Sequence, residues 1–225
     1  MTNAAQIAQR NEDLKDLIKA VKVDVSYCYE TDKLLDEKVD FMAENCPRVL
    51  DFGKSSRHRY KKFSPEQAQT ADINQYNDYP DYICDICDSS TFPEEKYDGI
   101  ICNAVLEHVY DPFTAVKNLH EALKPEGYLL AYVPYLYRYH APKDLTFQDY
   151  YRYSRDALAY MFRDFSSLTL YSVRGRTSTA FVSAFPFWKP YVEKKIPKAN
   201  ILVDKVLGGA YDPLQTSGYH IWAQK

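Results

Sequence analysis

The chain has 225 residues, of which 46% are hydrophobic, and its formal net charge is −3. This length is enough for one well-buried domain, and the charge balance does not favour a dedicated nucleic-acid binder. The five cysteines are an odd number, the N-terminus is polar where a secretory signal would be apolar, and no run approaches the roughly 18 apolar residues of a membrane span. We therefore expect a cytoplasmic protein with reduced cysteines.

The first 45 residues are predicted to be helical. Apolar residues recur there at a spacing near 3.6, in one stripe from Ile7 to Val21 and in a second from Leu34 to Met42. We expect residues 1–45 to form a helical cap on a domain that spans residues 46–225.

Strand candidates alternate with helical or turn segments from residue 48 onwards. Asp111-Pro112 is typical of a helix start, with Asp as the N-cap and Pro at the first helical position. Two late strand candidates bracket a segment rich in aromatic residues, which indicates an antiparallel hairpin at the sheet edge. The candidates cover residues 48–52, 69–73, 82–86, 97–103, 127–133, 167–173 and 219–224. This pattern predicts an α/β fold with a doubly wound, mostly parallel, seven-stranded sheet.

Three carboxylates come at the predicted ends of neighbouring strands. Asp51 precedes the glycine turn at Gly53, Asp72 follows 21 residues later, and Asp85 ends an apolar run. Each alone could be a solvated loop residue. Together they would line a crevice at the carboxyl edge of the sheet. Asp72 could accept hydrogen bonds from both hydroxyls of a ribose, and Asp85 from the amino group of an adenine.

The motifs in this half of the chain resemble those of the class I S-adenosylmethionine-dependent methyltransferases that act on small molecules. The similarity covers about residues 46–175 and is most specific between Asp98 and Gly127. The motifs are Val49-Leu-Asp-Phe-Gly53, Ala71-Asp-Ile73, Cys84-Asp-Ile86, the run 97–109 with its Leu-Glu-His turn, Asp111-Pro112, Leu123-Lys-Pro-Glu-Gly127 and Val133-Pro134. The resemblance implies a Rossmann-like fold and S-adenosyl-L-methionine as the cofactor. It implies cofactor contacts at Asp51, Phe52, Gly53, Lys54, Ser55, Asp72, Ile73, Asp85, Ile86 and Asn103.

Two later segments, His140-Ala-Pro-Lys-Asp144 and Tyr150-Tyr-Arg-Tyr-Ser154, look like those of a subgroup often linked to cell-surface sugar or polyketide-like substrates. The segments 135–153 and 176–218 would shape the acceptor site. The implied substrate contacts are His108, Tyr135, His140, Asp144 and Arg152.

His140 and His108 are the candidate catalytic bases, because an imidazole titrates near neutrality and both are predicted on the cofactor side of the sheet. Alternatives stay open for each of them. His108 could instead cap or pack beside Glu107. His140 could be oriented by Asp144 or simply make a loop hydrogen bond.

One position departs from the family pattern: Ser55 stands where these enzymes usually have a second glycine. This departure supports the alternative of a non-catalytic methyltransferase-like binding or scaffold protein.

The motifs as a whole predict a methyltransferase acting on a small-molecule hydroxyl or amine. No metal site is predicted, because Cys84-x-x-Cys87 lacks a second ligand pair. A Gly-x-Gly-x-x-Gly motif and a Gly-x-Ser-x-Gly motif are both missing, which argues against nicotinamide and hydrolase chemistry. The expected partner is a small-molecule acceptor, and the sequence leaves the oligomeric state open.

Overall fold

The computed structural model describes residues 3–25, 28–53, 62–185 and 214–225, together with Leu202, Asp204 and Val206. In chain order its elements are α1 (Asn3–Ala20), β1 (Lys22–Val25), α2 (Cys28–Asn45), β2 (Val49–Phe52), β3 (Ala68–Asp72), β4 (Tyr82–Ile83), β5 (Tyr97–Asn103), α3 (Pro112–Ala122), β6 (Leu123–Pro134), α4 (Arg155–Met161), β7 (Ser167–Ser172), α5 (Arg176–Ala184) and β8 (Gly218–Gln224). Within this described part of the chain, no helix is both long and apolar enough to cross a membrane.

The strands form one sheet in the order β1-β7-β8-β6-β5-β2-β3-β4. All neighbours are parallel except β8, which runs antiparallel to both β6 and β7. The predicted α/β fold with a mostly parallel sheet and an antiparallel strand pair is confirmed.

Helices cover both faces of the sheet, and successive buried residues of its central strands pack against opposite faces. Val49, Ile101 and Leu130 pack with residues of α2 on one face. Their chain neighbours Leu50, Ile100 and Leu129 pack with residues of α3 and α4 on the other. Successive side chains of a strand point to opposite faces, so paired apolar residues in each central strand produce a sheet that is buried on both sides.

The N-terminal region differs from the prediction of helix throughout residues 1–45. Lys22–Val25 is a strand that pairs with β7 and adds an eighth member to the sheet. Its Lys-Val-Asp-Val sequence alternates polar and β-branched residues, which favours a strand over a helix. The antiparallel pair therefore does not form the sheet edge, since β1 covers β7.

Most other boundaries lie within a few residues of their predicted positions. Strand β5 has the predicted bounds, whereas β4 ends at Ile83 and β6 begins at Leu123. The predicted start of α3 is confirmed: Asp111 Oδ1 accepts a hydrogen bond from the Thr114 backbone N–H at 3.1 Å, and Pro112 occupies the first helical turn. This cap fixes where the loop after β5 ends.

Candidate active site

The three predicted carboxylates lie at the carboxyl ends of β2, β3 and β4, which are neighbours in the sheet. Asp51 is in β2 and fully buried, Asp72 is the last residue of β3, and Asp85 follows β4 by two residues. Parallel strands bring these positions to one edge of the sheet, so the structure places the three where the sequence predicted.

Gly53 makes a close turn directly after β2. Its φ is +81°, in the left-handed region that favours glycine, and its N–H donates to the Ala71 carbonyl oxygen at 3.0 Å. A Cβ at this position would lie 3.0 Å from Val105 Cγ2, in the loop after β5. The turn therefore requires glycine. The predicted approach of a cofactor to bare backbone would require glycine here as well. Lys54 and Ser55 lie outside the described residues.

Asp72 and Asp85 are half-buried and accept hydrogen bonds from nearby loops. Asp72 Oδ1 accepts from the Asn74 N–H at 3.0 Å, and Asp85 Oδ2 accepts from the Tyr110 hydroxyl at 3.0 Å. That hydrogen bond raises the pKa of the Tyr110 hydroxyl to about 12. Both carboxylates are thus held at the carboxyl edge of the sheet and remain partly exposed.

The other predicted cofactor contacts lie at the same edge. Phe52 and Ile86 are buried, Ile73 is 59% exposed, and Asn103 is the half-buried last residue of β5. Ile73 is the exposed apolar side chain of this group, next to Asp72, and it can cover an aromatic base.

His108 and His140 come together around a third residue, Glu107. Glu107 and His108 lie in a short 3₁₀ helix (Leu106–His108) after β5, and His140 lies in the loop after β6. Glu107 Oε1 is 3.7 Å from His108 Nε2 and 3.8 Å from His140 Nε2. The two imidazole rings have centroids 4.9 Å apart and meet edge to face. We call these three residues the Glu-His-His cluster.

Burial sets the electrostatics of this cluster. The Glu107 side chain is 1% exposed, and loss of hydration raises the pKa of its carboxyl to about 7. Burial also lowers the pKa of the His108 imidazole. The imidazoles keep an opening to solvent, with 16% of the His108 side chain and 27% of the His140 side chain exposed.

Asp149, rather than Asp144, is the carboxylate beside His140. Asp149 Oδ2 lies 3.2 Å from His140 Nδ1 and accepts the His140 backbone N–H at 2.8 Å. Asp144 is exposed and accepts from the Thr146 hydroxyl at 2.7 Å. The hypothesis that Asp144 orients His140 is therefore wrong: Asp144 closes its own turn, and the loop folds back so that Asp149 reaches the imidazole.

Arg152 donates all the hydrogen bonds of its guanidinium to groups within the protein. Its guanidinium donates to both carboxylate oxygens of Asp149 and to the carbonyl oxygens of Tyr137, Arg138 and Tyr151. These acceptors account for all five N–H groups of an arginine. Hydrogen bonding to Arg152 also holds the pKa of Asp149 at about 2. The predicted substrate contact at Arg152 is therefore replaced by a structural role, clamping the two ends of the loop together.

The Tyr-Arg-Tyr segment fastens this loop to the 3₁₀ helix. The backbone N–H of Tyr150 donates to the Glu107 carbonyl oxygen at 2.8 Å, and the buried Tyr153 hydroxyl donates to the Leu106 carbonyl oxygen at 2.6 Å. Tyr135, another predicted substrate contact, is half-buried and stacks on Tyr219 with ring centroids 6.3 Å apart. The loop is thus a fixed wall of the site.

Sequence reasoning missed Glu107 and Asp149 as parts of the site. Glu107 was recognised only as a neighbour of His108, although its position in a Leu-Glu-His turn was a usable signal. Asp149 carried no such signal, because its contact with His140 depends on how the loop folds.

Comparison with known proteins identifies the family. The family model described as "Methyltransferase domain" matches residues 27–167, more than half of the chain. The chain belongs to this methyltransferase family. The predicted membership of the class I S-adenosylmethionine-dependent methyltransferases is confirmed by this match, and with it the enzyme class and the cofactor. No curated protein sequence is significantly similar to the chain.

Solved structures of low sequence identity are similar to this methyltransferase. A SAM-dependent methyltransferase from Archaeoglobus fulgidus is 16% identical with a TM-score of 0.51, over 86% of this chain and 94% of that one. The N-methyltransferase NodS from Bradyrhizobium japonicum WM9, in complex with S-adenosyl-L-homocysteine, is 10% identical with a TM-score of 0.49, over 89% of each chain. At 16% identity, the similarity to the Archaeoglobus fulgidus structure supports the fold alone.

The adenosyl end of the methyltransferase site gives a first prediction. Asp72→Ala should weaken S-adenosylmethionine binding by about 1.5–3 kcal/mol, the cost of losing hydrogen bonds to a charged group. Calorimetric titration measures the change. Asp81→Ala is the matched control, because Asp81 precedes β4 and accepts from the Thr70 N–H at 2.7 Å away from the carboxyl edge. Unchanged affinity in a folded Asp72→Ala protein would remove Asp72 from the cofactor site.

Proposed function

We propose that this methyltransferase methylates a hydroxyl or amine of a small molecule, such as a sugar or related metabolite. The observation that carries the proposal is the Glu-His-His cluster, two partly exposed imidazoles around one buried carboxylate. The cluster follows the carboxyl end of β5, which neighbours β2 in the sheet, so it lies at the same sheet edge as the aspartates.

The residues at the crevice fit the cofactor. The Gly53 turn leaves backbone bare where a Cβ would meet Val105, and Asp72 and Asp85 present carboxylates to hydroxyl and amine donors. When bound, S-adenosylmethionine supplies a methyl group already activated by its sulfonium. The protein then has to align the acceptor with that methyl carbon and help it to lose a proton.

The cluster supplies the second requirement. His140 and His108 are held by their Nδ1 sides, which leaves both Nε2 atoms facing Glu107 and the opening. An acceptor hydroxyl or ammonium group placed at this opening loses its proton to one of the two imidazoles, or passes it on through them. Alignment comes from the loop 135–153, which carries exposed aromatic side chains at Tyr139 and Phe147 that can stack on a ring.

A small acceptor suits an opening between the 3₁₀ helix after β5 and the loop after β6. The net charge of −3 gives no electrostatic reason for a nucleic-acid substrate. We keep the cytoplasm as the proposed compartment, because Cys46, Cys84, Cys87 and Cys102 are free thiols.

Two measurements test the proposal. Calorimetric titration with S-adenosylmethionine and S-adenosylhomocysteine should show binding of both to the purified protein. Incubation with methyl-labelled S-adenosylmethionine and a panel of amino sugars, sugars and small amines should then yield labelled product and S-adenosylhomocysteine. No binding of either compound would favour the scaffold alternative. Binding without turnover on any panel member would contradict the proposed acceptor class.

A further inference from the structure

The Glu-His-His cluster has the composition and spacing of a metal site. One carboxylate oxygen and two imidazole nitrogens, from Glu107, His108 and His140, lie within 4.8 Å of one another. Two ligands 2.1 Å from a tetrahedral zinc ion are about 3.4 Å apart. The two distances to Glu107 Oε1, 3.7 and 3.8 Å, exceed that by a few tenths of an ångström, within reach of small side-chain rotations.

The outer partners of both histidines orient the rings for such a role. His108 Nδ1 lies 2.5 Å from the Gln148 carbonyl oxygen, which can only accept, so Nδ1 carries the proton. His140 Nδ1 faces two acceptors, Asp149 Oδ2 at 3.2 Å and the Arg138 carbonyl oxygen at 3.3 Å. The donor Arg152 Nη2 is also 3.4 Å away, but its two N–H groups already donate to those same two acceptors at 2.7 Å. Metal-binding histidines are held in the same way, by a carbonyl or carboxylate on the other ring nitrogen.

These tautomers leave lone pairs that face one another. In neutral imidazoles protonated at Nδ1, both Nε2 atoms present lone pairs toward Glu107 Oε1, which also offers a lone pair. The second oxygen, Glu107 Oε2, is buried and has no hydrogen-bond partner within the described part of the chain. A positive charge at the centre of the three groups would satisfy them all, and burying the carboxylate without one is costly.

We propose that Glu107, His108 and His140 bind a divalent transition-metal ion with an open coordination position toward the acceptor. Two imidazoles and one carboxylate are a ligand set used by zinc and by other first-row divalent ions at catalytic sites. The role of the ion in methyl transfer rests on the proposed function. Its binding does not, because all three ligands come from the protein.

The ion would explain how the acceptor loses its proton. A hydroxyl at the open position has a lowered pKa, so its proton passes to solvent near neutral pH. The oxygen then forms a bond to the methyl carbon while the bond from that carbon to sulfur breaks, and the sulfonium becomes a neutral thioether. No oxidant or reductant is needed.

Cobalt(II) titration of the whole, tag-free chain tests the site without cofactor or acceptor. We expect the visible absorption of a four- or five-coordinate Co²⁺ at one equivalent, displaced by Zn²⁺. His108→Gln, His140→Gln and Glu107→Gln should each weaken binding by more than about 100-fold, beyond the range for an outer-shell change. Asp149→Asn, which removes no ligand, should weaken it by about 10–100-fold. His120→Gln is the matched control, since His120 lies in the last turn of α3 against Phe165, at the opposite edge of the sheet.

Two outcomes would overturn the inference: no Co²⁺ binding by the wild type, or the same spectrum and affinity in folded His140→Gln protein. Glu107→Gln keeps the shape of the side chain, and the two histidines are partly exposed, so circular dichroism should show folded variants. Failure here is separable from failure of the proposed function. A protein that binds S-adenosylmethionine and methylates an acceptor in the presence of a chelator would keep the proposed function and lose the metal.

Discussion

His140→Ala should lower the turnover of the methyltransferase by about 10²–10⁴-fold, the contribution typical of a group that assists proton transfer. His140 belongs to the cluster on the acceptor side, whereas the proposed cofactor contacts lie at Asp72 and Asp85. We therefore expect the affinity for S-adenosylmethionine to stay nearly unchanged. Turnover at saturating acceptor and a calorimetric titration of the cofactor measure the two quantities separately.

His120→Ala is the control for this experiment and should keep wild-type turnover, because the cluster does not include it. Full turnover of the His140→Ala protein would assign proton removal to His108 or show that the reaction needs no such group. An equal loss of turnover and cofactor affinity would place His140 in the cofactor site.

Arg152→Ala should lower the free energy of unfolding by about 3 kcal/mol, the lower end of the range for breaking a buried ion pair. The lower end applies because 24% of the Arg152 side chain is exposed, although the Asp149 side chain is fully buried. The substitution leaves that carboxylate without its charged partner and frees three backbone carbonyls. Chemical denaturation measures the loss, and turnover should fall with it because Asp149 also holds His140.

Arg155→Ala is a matched control at the first residue of α4, three residues after Arg152. Arg155 pairs with Asp156 at 2.8 Å, and 57% of the Asp156 side chain is exposed. Exposed ion pairs contribute about 0–1 kcal/mol, so this variant should be nearly as stable as the wild type. If Arg152→Ala were equally harmless to stability, the clamp role would be refuted and a direct contact of Arg152 with the acceptor would again be open.

The parts of the fold that were predictable are those that local chemistry determines. Asp111-Pro112 indicates a capped helix from two residues alone, and the short apolar run Ile100-Ile-Cys102, with Gly99 before it and Asn103 after it, favours a buried strand. Lys22–Val25 was missed because its alternating pattern is only four residues long. A four-residue strand inside a region of helical periodicity gains its stability from pairing with β7, more than 140 residues away, and no local pattern records that partner.

The candidate site likewise has one part that the local sequence predicts and one part that it does not. Asp51, Gly53, Asp72 and Asp85 were placed at one edge because each follows an identifiable strand, and strand ends determine where such residues meet. The acceptor side depends on a loop without repeating structure. Spacing there offered Asp144 as one possible orienting partner of His140, and the family resemblance implied that Arg152 contacts the substrate. The folded loop instead pairs Asp149 with both residues.

The position of β8 dictates the order in which the sheet can be completed. Among the strands of the described residues, β7 joins the rest of the sheet through β8, and β1 joins through β7. Strands β2, β3, β5 and β6 pair with one another without any later segment, whereas the β1–β7 pair joins them once residues 218–224 lie between β6 and β7. Such long-range closure is slow, and it leaves the exposed edge of β6 as the part of a nascent chain most in need of protection.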